Sequence, residues 1–194
     1  MVFRKLIQSY ITQPLVTLLA KTSVTPDMVT WFGFVLILAA AWLAGAGHLF
    51  AAGWVVLVSG FFDIIDGQLA RSTNQVTRFG GVLDSSLDRI SEGAILIGIA
   101  AYYLNNPAVY HQWIILLIGV TMMASFLVSY VRSRAEAEKI PCQVGLFTRA
   151  ERVIILALGL LINQLAIILP IIAVLSVVTV VQRLVHVYNQ TKKL

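Results

Sequence analysis

Four aspartates, Asp63, Asp66, Asp84 and Asp88, border long apolar runs, where ionisable groups are costly and mark sites. The i, i+3 and i, i+4 spacings put each pair on one face of a helix. The segment between the pairs, Ser72 to Phe79, is short, so the two helices are expected to be neighbours and the four carboxylates to converge. Four anions so close repel strongly unless a cation sits among them, and an all-oxygen donor set suits Mg²⁺ or Mn²⁺, with Ca²⁺ as a structural substitute. Nearby, Gly67 and Gly80 permit close approach of a ligand backbone or metal, and Arg71 offers a fork that suits phosphate. Metal, glycine and arginine together describe a diphosphate site. The competing reading treats the acids as helix-end charges paired with Arg71, Arg78 and Arg89.

The elements that must position these residues follow from composition. Of 194 residues, 59% are hydrophobic and 12% charged, against about 25% charged in a soluble domain, which excludes an ordinary water-exposed surface. Met28 to Phe62, Gly93 to Val131 and Val153 to Gln182 contain no charged residue. Each is long enough for two spans of about 20 residues when its charged ends finish the helices. Each is also interrupted near its middle: by Gly45 to His48, by Asn105-Asn106-Pro107, and by Asn163-Gln164 followed by Pro170. The expected fold is therefore an all-α membrane protein of six transmembrane helices in three hairpins, one domain over residues 1–194 with its bundle in 28–190.

All 14 basic residues fall at the shared end of the hairpins, which the positive-inside rule places in the cytoplasm together with both termini. The N-terminus lacks the unbroken apolar core of a signal peptide. Phe3, Leu6, Ile7, Tyr10, Leu15, Leu18 and Leu19 instead recur at near-helical spacing, which predicts an amphipathic interfacial helix over 1–22, interrupted or kinked near Pro14. Cys142 has no partner for an intrachain disulfide.

Asp63, Asp66, Gly67, Ala70, Arg71, Gly80, Asp84 and Asp88 match every fixed position of DxxDGxxARx8Gx3Dx3D. This pattern resembles the signature of the CDP-alcohol phosphotransferases. The resemblance implies a six-helix membrane enzyme, usually a homodimer, with a cytoplasmic active site in a prokaryotic cell membrane and no nucleic-acid partner. It implies attack of an alcohol hydroxyl on the lipid-linked phosphorus of a CDP-alcohol, with release of CMP. By family position, Asp63, Asp66 and Asp84 are metal ligands, and Asp88 is a metal-bordering general base. Gly67, Arg71 and Thr77 line the CDP portion, while Asp27-Met28-Val29-Thr30 resembles the segment that closes over the nucleotide. Thr25-Pro26-Asp27 also suits an N-cap and first helical turn, a role compatible with anion binding.

A second basic constellation comprises Arg132, Arg134, Arg149, Arg152 and Arg183. Singly, each reads as a topology anchor. Arg183, following 30 uncharged residues, is the one expected to be drawn into the bundle to meet an anion. Ser129 to Glu136, Ala150-Glu151-Arg152 and Gln182-Arg183 resemble the phosphatidylinositol-phosphate synthase branch. That resemblance implies CDP-diacylglycerol as donor and inositol phosphate as acceptor, its phosphate held at Ser129, Arg132, Arg134, Arg152 and Arg183. Arg132 stands where that branch more often has Lys. A glycerol-phosphate acceptor and an archaeol-based donor are the nearest alternatives.

A cation transporter is the competing class, but its acids would lie near the bilayer midplane between two mouths, whereas these cluster at one end. His48, His111 and His186 have no metal-ligand spacing. Trp31, Trp42, Trp54 and Trp113 read as an aromatic belt.

Overall fold

A computed structural model describes residues 12–106 and 112–192, and within them the chain forms seven helices and no strand. They are α1 (Gln13–Leu19), α2 (Pro26–Gly45), α3 (Leu49–Ser72), α4 (Arg78–Asn105), α5 (Gln112–Ala137), α6 (Arg149–Leu161) and α7 (Leu165–Thr191). Four of them, α2, α3, α5 and α7, are long and apolar enough to cross a membrane. Their outward faces carry exposed Val35, Trp42, Phe50, Leu116 and Val174, while Ser59, Thr121, Ser125, Ser176 and Thr179 are buried between helices. Apolar residues outside and hydroxyls inside suit a lipid surround, and the chain is a membrane protein.

The six expected spans are therefore met by four helices of that kind. The fifth expected span is α6, whose 13 residues reach only roughly 20 Å, short of a hydrocarbon core of about 30 Å. It ends early because Ile162 caps it and Asn163 takes a left-handed φ of 53°. The third expected span, α4, has 28 residues, but its first half carries the acids and arginines of the signature. Pro170, expected near a helix start, lies within α7. The first break forms as expected, with α2 ending at Gly45 and Gly47 at φ 88°.

The hub is α2, which packs along both α3 and α4; α5 packs on α7, and α6 on α3. The α2 to α4 approach is backbone-close: a Cβ on Gly98 would collide with the carbonyl oxygen of Ala41 and stand 2.8 Å from its carbon. Ala40, Ala44, Ala52, Val56, Ile99 and Leu169 are almost wholly buried in the main core. Small residues at such crossings allow the dispersion contacts that hold helices together in lipid, where burial from water supplies no drive.

Pro14 occupies the first turn of α1, where the missing proline N–H forfeits no helical hydrogen bond. Its Val16 packs with Val29, Ile65 and Leu69, docking α1 on α3. Residues 1–11 of the expected interfacial helix, and His111, lie outside the described residues.

Candidate active site

The signature straddles the end of α3 and the start of α4. Between them Asn74 adopts φ 55° and Thr77 caps α4, its Oγ1 accepting from the Gly80 N–H at 2.8 Å. This short reversal brings the two ends of the signature together. The helices were expected to neighbour each other, yet the principal partner of both is α2. Their carboxylates converge across the N-terminal turns of α2.

One carboxylate oxygen from each of Asp63, Asp66 and Asp84 lies within 4.8 Å of the others. Asp66 is buried, and Thr30 on α2 donates its hydroxyl to Asp66 Oδ2 at 2.7 Å. Asp88 stands apart from this trio. Its Oδ1 lies 2.7 Å from Nη1 of Arg149, and the same nitrogen lies 2.8 Å from Asp63 Oδ2. The expected group of four is thus three clustered acids, with a fourth joined to them through an arginine.

Three hard oxygen donors with one nearby guanidinium leave a net negative pocket. That donor set fits a divalent cation of the Mg²⁺, Mn²⁺ or Ca²⁺ type, and a cation there would relieve the mutual repulsion of the acids.

Of the residues expected around the nucleotide, Asp27 lies in the first turn of α2, beneath a Thr25 cap that accepts from Met28 N–H at 3.3 Å. A Cβ on Gly80 would stand 3.3 Å from Asp27 Oδ1, so the starts of α2 and α4 meet. Met28 is exposed. Val29 is buried, its side chain in the small core with Val16, so it offers a ligand only its backbone. Thr30 points to Asp66, as above. Arg71 folds its guanidinium over Gly67, where a Cβ would lie 3.5 Å from Nη1. Thr77 is committed to its cap.

The expected acceptor residues divide. Arg132 and Arg134 are exposed and paired with Glu136 and Glu138 one turn on; Ser129 is half-buried above them. Arg152 is 1% exposed and gives Nε to Glu92 Oε1 at 2.6 Å and Nη2 to Oε2 at 3.0 Å. Arg183, 3% exposed, donates Nε to Val144 O at 2.9 Å and Nη1 to Val128 O. Among the described residues it makes no ion pair. The expectation that Arg183 is drawn into the bundle holds; the exposed pair and the buried pair, however, do not form one cluster of free cations.

Two residues of the site were not assigned from sequence. Arg149 entered only as one of several basic residues, and Glu92 was passed over. Glu151 accepts from the Thr148 N–H at 2.8 Å, a capping contact that starts α6 and sets Arg149 and Arg152 on one face. Glu92 continues the α4 stripe of Asp84 and Asp88 by one more turn. That i+4 continuation was the signal available.

Small cavities connect these groups. One of about 20 Å³ is lined by Thr30, Asp63, Asp66 and Asp88. A second of about 30 Å³ shares Asp88 and Arg149 with it and extends to Glu92 and Arg152.

A membrane bundle with three clustered carboxylates able to hold a divalent cation at one end, near helix N-termini and buried arginines, suits an enzyme of metal-assisted phosphate chemistry. Residues 23–182 match the CDP-alcohol phosphatidyltransferase family, and the chain belongs to it. It is 37% identical over 177 residues to the archaetidylinositol phosphate synthase of Pyrococcus horikoshii, covering 91% of this chain and 88% of the relative. It is 36% identical over 185 residues to the phosphatidylinositol phosphate synthase of Mycobacteroides abscessus, covering 90% and 82%. The Mycobacterium tuberculosis phosphatidylinositol phosphate synthase with CDP-DAG bound superposes at TM-score 0.81 and 34% identity, over 93% of this chain and 94% of that one. The same enzyme with manganese and citrate gives 0.83 at 34% identity, over 92% and 89%. The protein is an enzyme of phospholipid synthesis, a CDP-alcohol phosphatidyltransferase.

Proposed function

We propose that the protein transfers the phosphatidyl group of CDP-diacylglycerol to a hydroxyl of inositol phosphate, forming phosphatidylinositol phosphate and CMP. The observation that carries the acceptor is Arg183: a buried guanidinium without an ion pair among the described residues, in a bundle where uncompensated charge is costly. A phosphate on the acceptor compensates it. Relatives named for inositol phosphate products on two different lipid backbones support the same acceptor.

In this reading Asp63, Asp66 and Asp84 hold Mg²⁺, which when bound supplies charge neutralisation to the diphosphate and the departing CMP. Asp27, the α2 N-terminus, Gly67 and Arg71 bind and orient the CDP moiety, with Met28, Val29 and Thr77 shaping its surround. Arg183 and Arg152, with Ser129, Arg132 and Arg134 toward the open side, seat the acceptor phosphate. Asp88 takes the proton of the attacking hydroxyl as its oxygen bonds to the lipid-linked phosphorus and the bond from phosphorus to the CMP oxygen breaks. Arg149 holds Asp88 toward the cluster. The protein works as a homodimer of single-domain chains, in which α4 and the shorter α6 complete a six-helix membrane bundle around the four long spans; site and termini are cytoplasmic, as the one-sided placement of basic residues supports.

The test is product analysis with labelled CDP-diacylglycerol and Mg²⁺. Labelled phosphatidylinositol phosphate formed with inositol phosphate supports the reading; turnover with glycerol 3-phosphate alone sinks it. Running CDP-archaeol in parallel decides the donor backbone, a question kept open by the Pyrococcus horikoshii relative.

A further inference from the structure

Arg152 and Glu92 form a charged pair in the bundle interior, 1% and 8% exposed. Such a pair is a poor source of stability, since apolar residues of similar volume commonly do as well or better once desolvation is counted. Its geometry is more telling. Both oxygens of Glu92 are used on one edge of the guanidinium, Nε at 2.6 Å and Nη2 at 3.0 Å. This forked contact removes the rotational freedom of the Arg152 head group.

The opposite edge is only lightly committed. Nη1 reaches Phe147 O at 3.5 Å, at the limit of a hydrogen bond. An arginine has five N–H donors, so Arg152 retains capacity there and on the outer hydrogen of Nη2. The free edge adjoins the connection between α5 and α6, the same segment whose Val144 carbonyl accepts from Arg183. Arg152 also lines the cavity shared with Asp88 and Arg149. Without Glu92, the nearest carboxylate one turn back along α4 is Asp88, and a released Arg152 would be drawn toward it.

We infer that Glu92 is a positioning residue for acceptor recognition: it clamps one edge of Arg152 so that the other edge stays presented to the acceptor phosphate and off Asp88. The inference rests on the reading that the acceptor carries a phosphate held by Arg152 and Arg183. Glu92 itself does not touch the substrate. Its effect on the acceptor passes through Arg152, and that makes it separable from a structural role.

The experiment is a double-mutant cycle in the full-length protein in detergent, with Glu92→Gln, Arg152→Gln and the two combined. For each, KM for inositol phosphate, KM for CDP-diacylglycerol and thermal stability are measured. Each single change should raise the acceptor KM about tenfold while the CDP-diacylglycerol KM moves less than about twofold, and the combination should be no worse than either single change. Glu92→Asp, which keeps the charge but withdraws the carboxylate by one methylene, should raise the acceptor KM in the same way if the Gln variant does not fold. An acceptor KM unchanged in the Glu92 variants, whatever their stability, overturns the inference, as does a fully additive combination. Wild-type protein that ignores inositol phosphate but uses glycerol 3-phosphate sinks the acceptor assignment alone; the same cycle run with that acceptor then decides the role of Glu92.

Discussion

Arg149 stands between two parts of the site, its Nη1 2.7 Å from Oδ1 of Asp88, the carboxylate proposed to receive the acceptor proton. The same nitrogen touches Asp63 at 2.8 Å, so one guanidinium ties Asp88 to the carboxylate trio. Arg149→Gln is expected to lower kcat roughly tenfold or more, part of the about 10²- to 10⁴-fold that a positioned general base supplies. CMP release at saturating substrates measures it. Wild-type turnover would show that the pairing does nothing for the base.

Thr30 on α2 is the support of Asp66. Its single hydroxyl proton has two acceptors within reach, Asp66 Oδ2 at 2.7 Å and Pro26 O at 3.1 Å, and the shorter contact to the carboxylate takes it. Thr30→Val keeps the shape and removes the donor from a buried acid. A hydrogen bond to a charged group contributes about 1.5–3 kcal/mol, so Mn²⁺ affinity, read by titration with paramagnetic detection, should weaken by roughly tenfold. Unchanged affinity would count against α2 as a support of the metal cluster.

Asp66 and Asp88 should separate binding from turnover. Asp66→Asn removes one member of the clustered trio and is expected to abolish measurable Mn²⁺ binding together with activity. Asp88→Asn lies outside the trio and should retain Mn²⁺ binding while CMP release falls by about 10²-fold or more. Equal loss of metal in both variants would place Asp88 among the ligands.

Gly98 tests the hub. A methyl group there collides with the Ala41 carbonyl, backbone that cannot swing aside, so α2 and α4 must separate. Gly98→Ala is expected to cost about 1–3 kcal/mol by overpacking and to lower the thermal midpoint. Because α2 carries Thr30 and α4 carries Asp84 and Asp88, metal affinity should fall along with stability. Retained stability would mean that the two helices do not approach as closely as described.

Much of this site was legible in the chain. The carboxylate trio depends on i, i+3 spacing at the end of one helix and on a reversal too short to let the next helix leave, and both are local properties of the sequence. The apolar runs and their Gly45 to His48 break were equally readable, because helix length and turn chemistry are local too. The break at Asn163-Gln164 also falls where the turn chemistry marks it, with Asn163 left-handed, but only 13 helical residues precede it, so the expectation of a full span in α6 was not met.

Side-chain pairing across helices was also out of reach, since it depends on which faces the bundle turns inward. The five arginines of the second basic constellation look alike in sequence, as positive charges at one end of hydrophobic segments. In the fold, Arg132 and Arg134 meet acids on their own helix, Arg149 reaches Asp63 and Asp88, Arg152 is gripped by Glu92, and Arg183 is closed in against backbone carbonyls. The sequence by itself determined that carboxylates would gather at one end of a membrane bundle, because spacing along a helix dictates which residues share a face. Only the tertiary structure decided which cation answers each acid and which is closed in without one, because those partners lie on different helices.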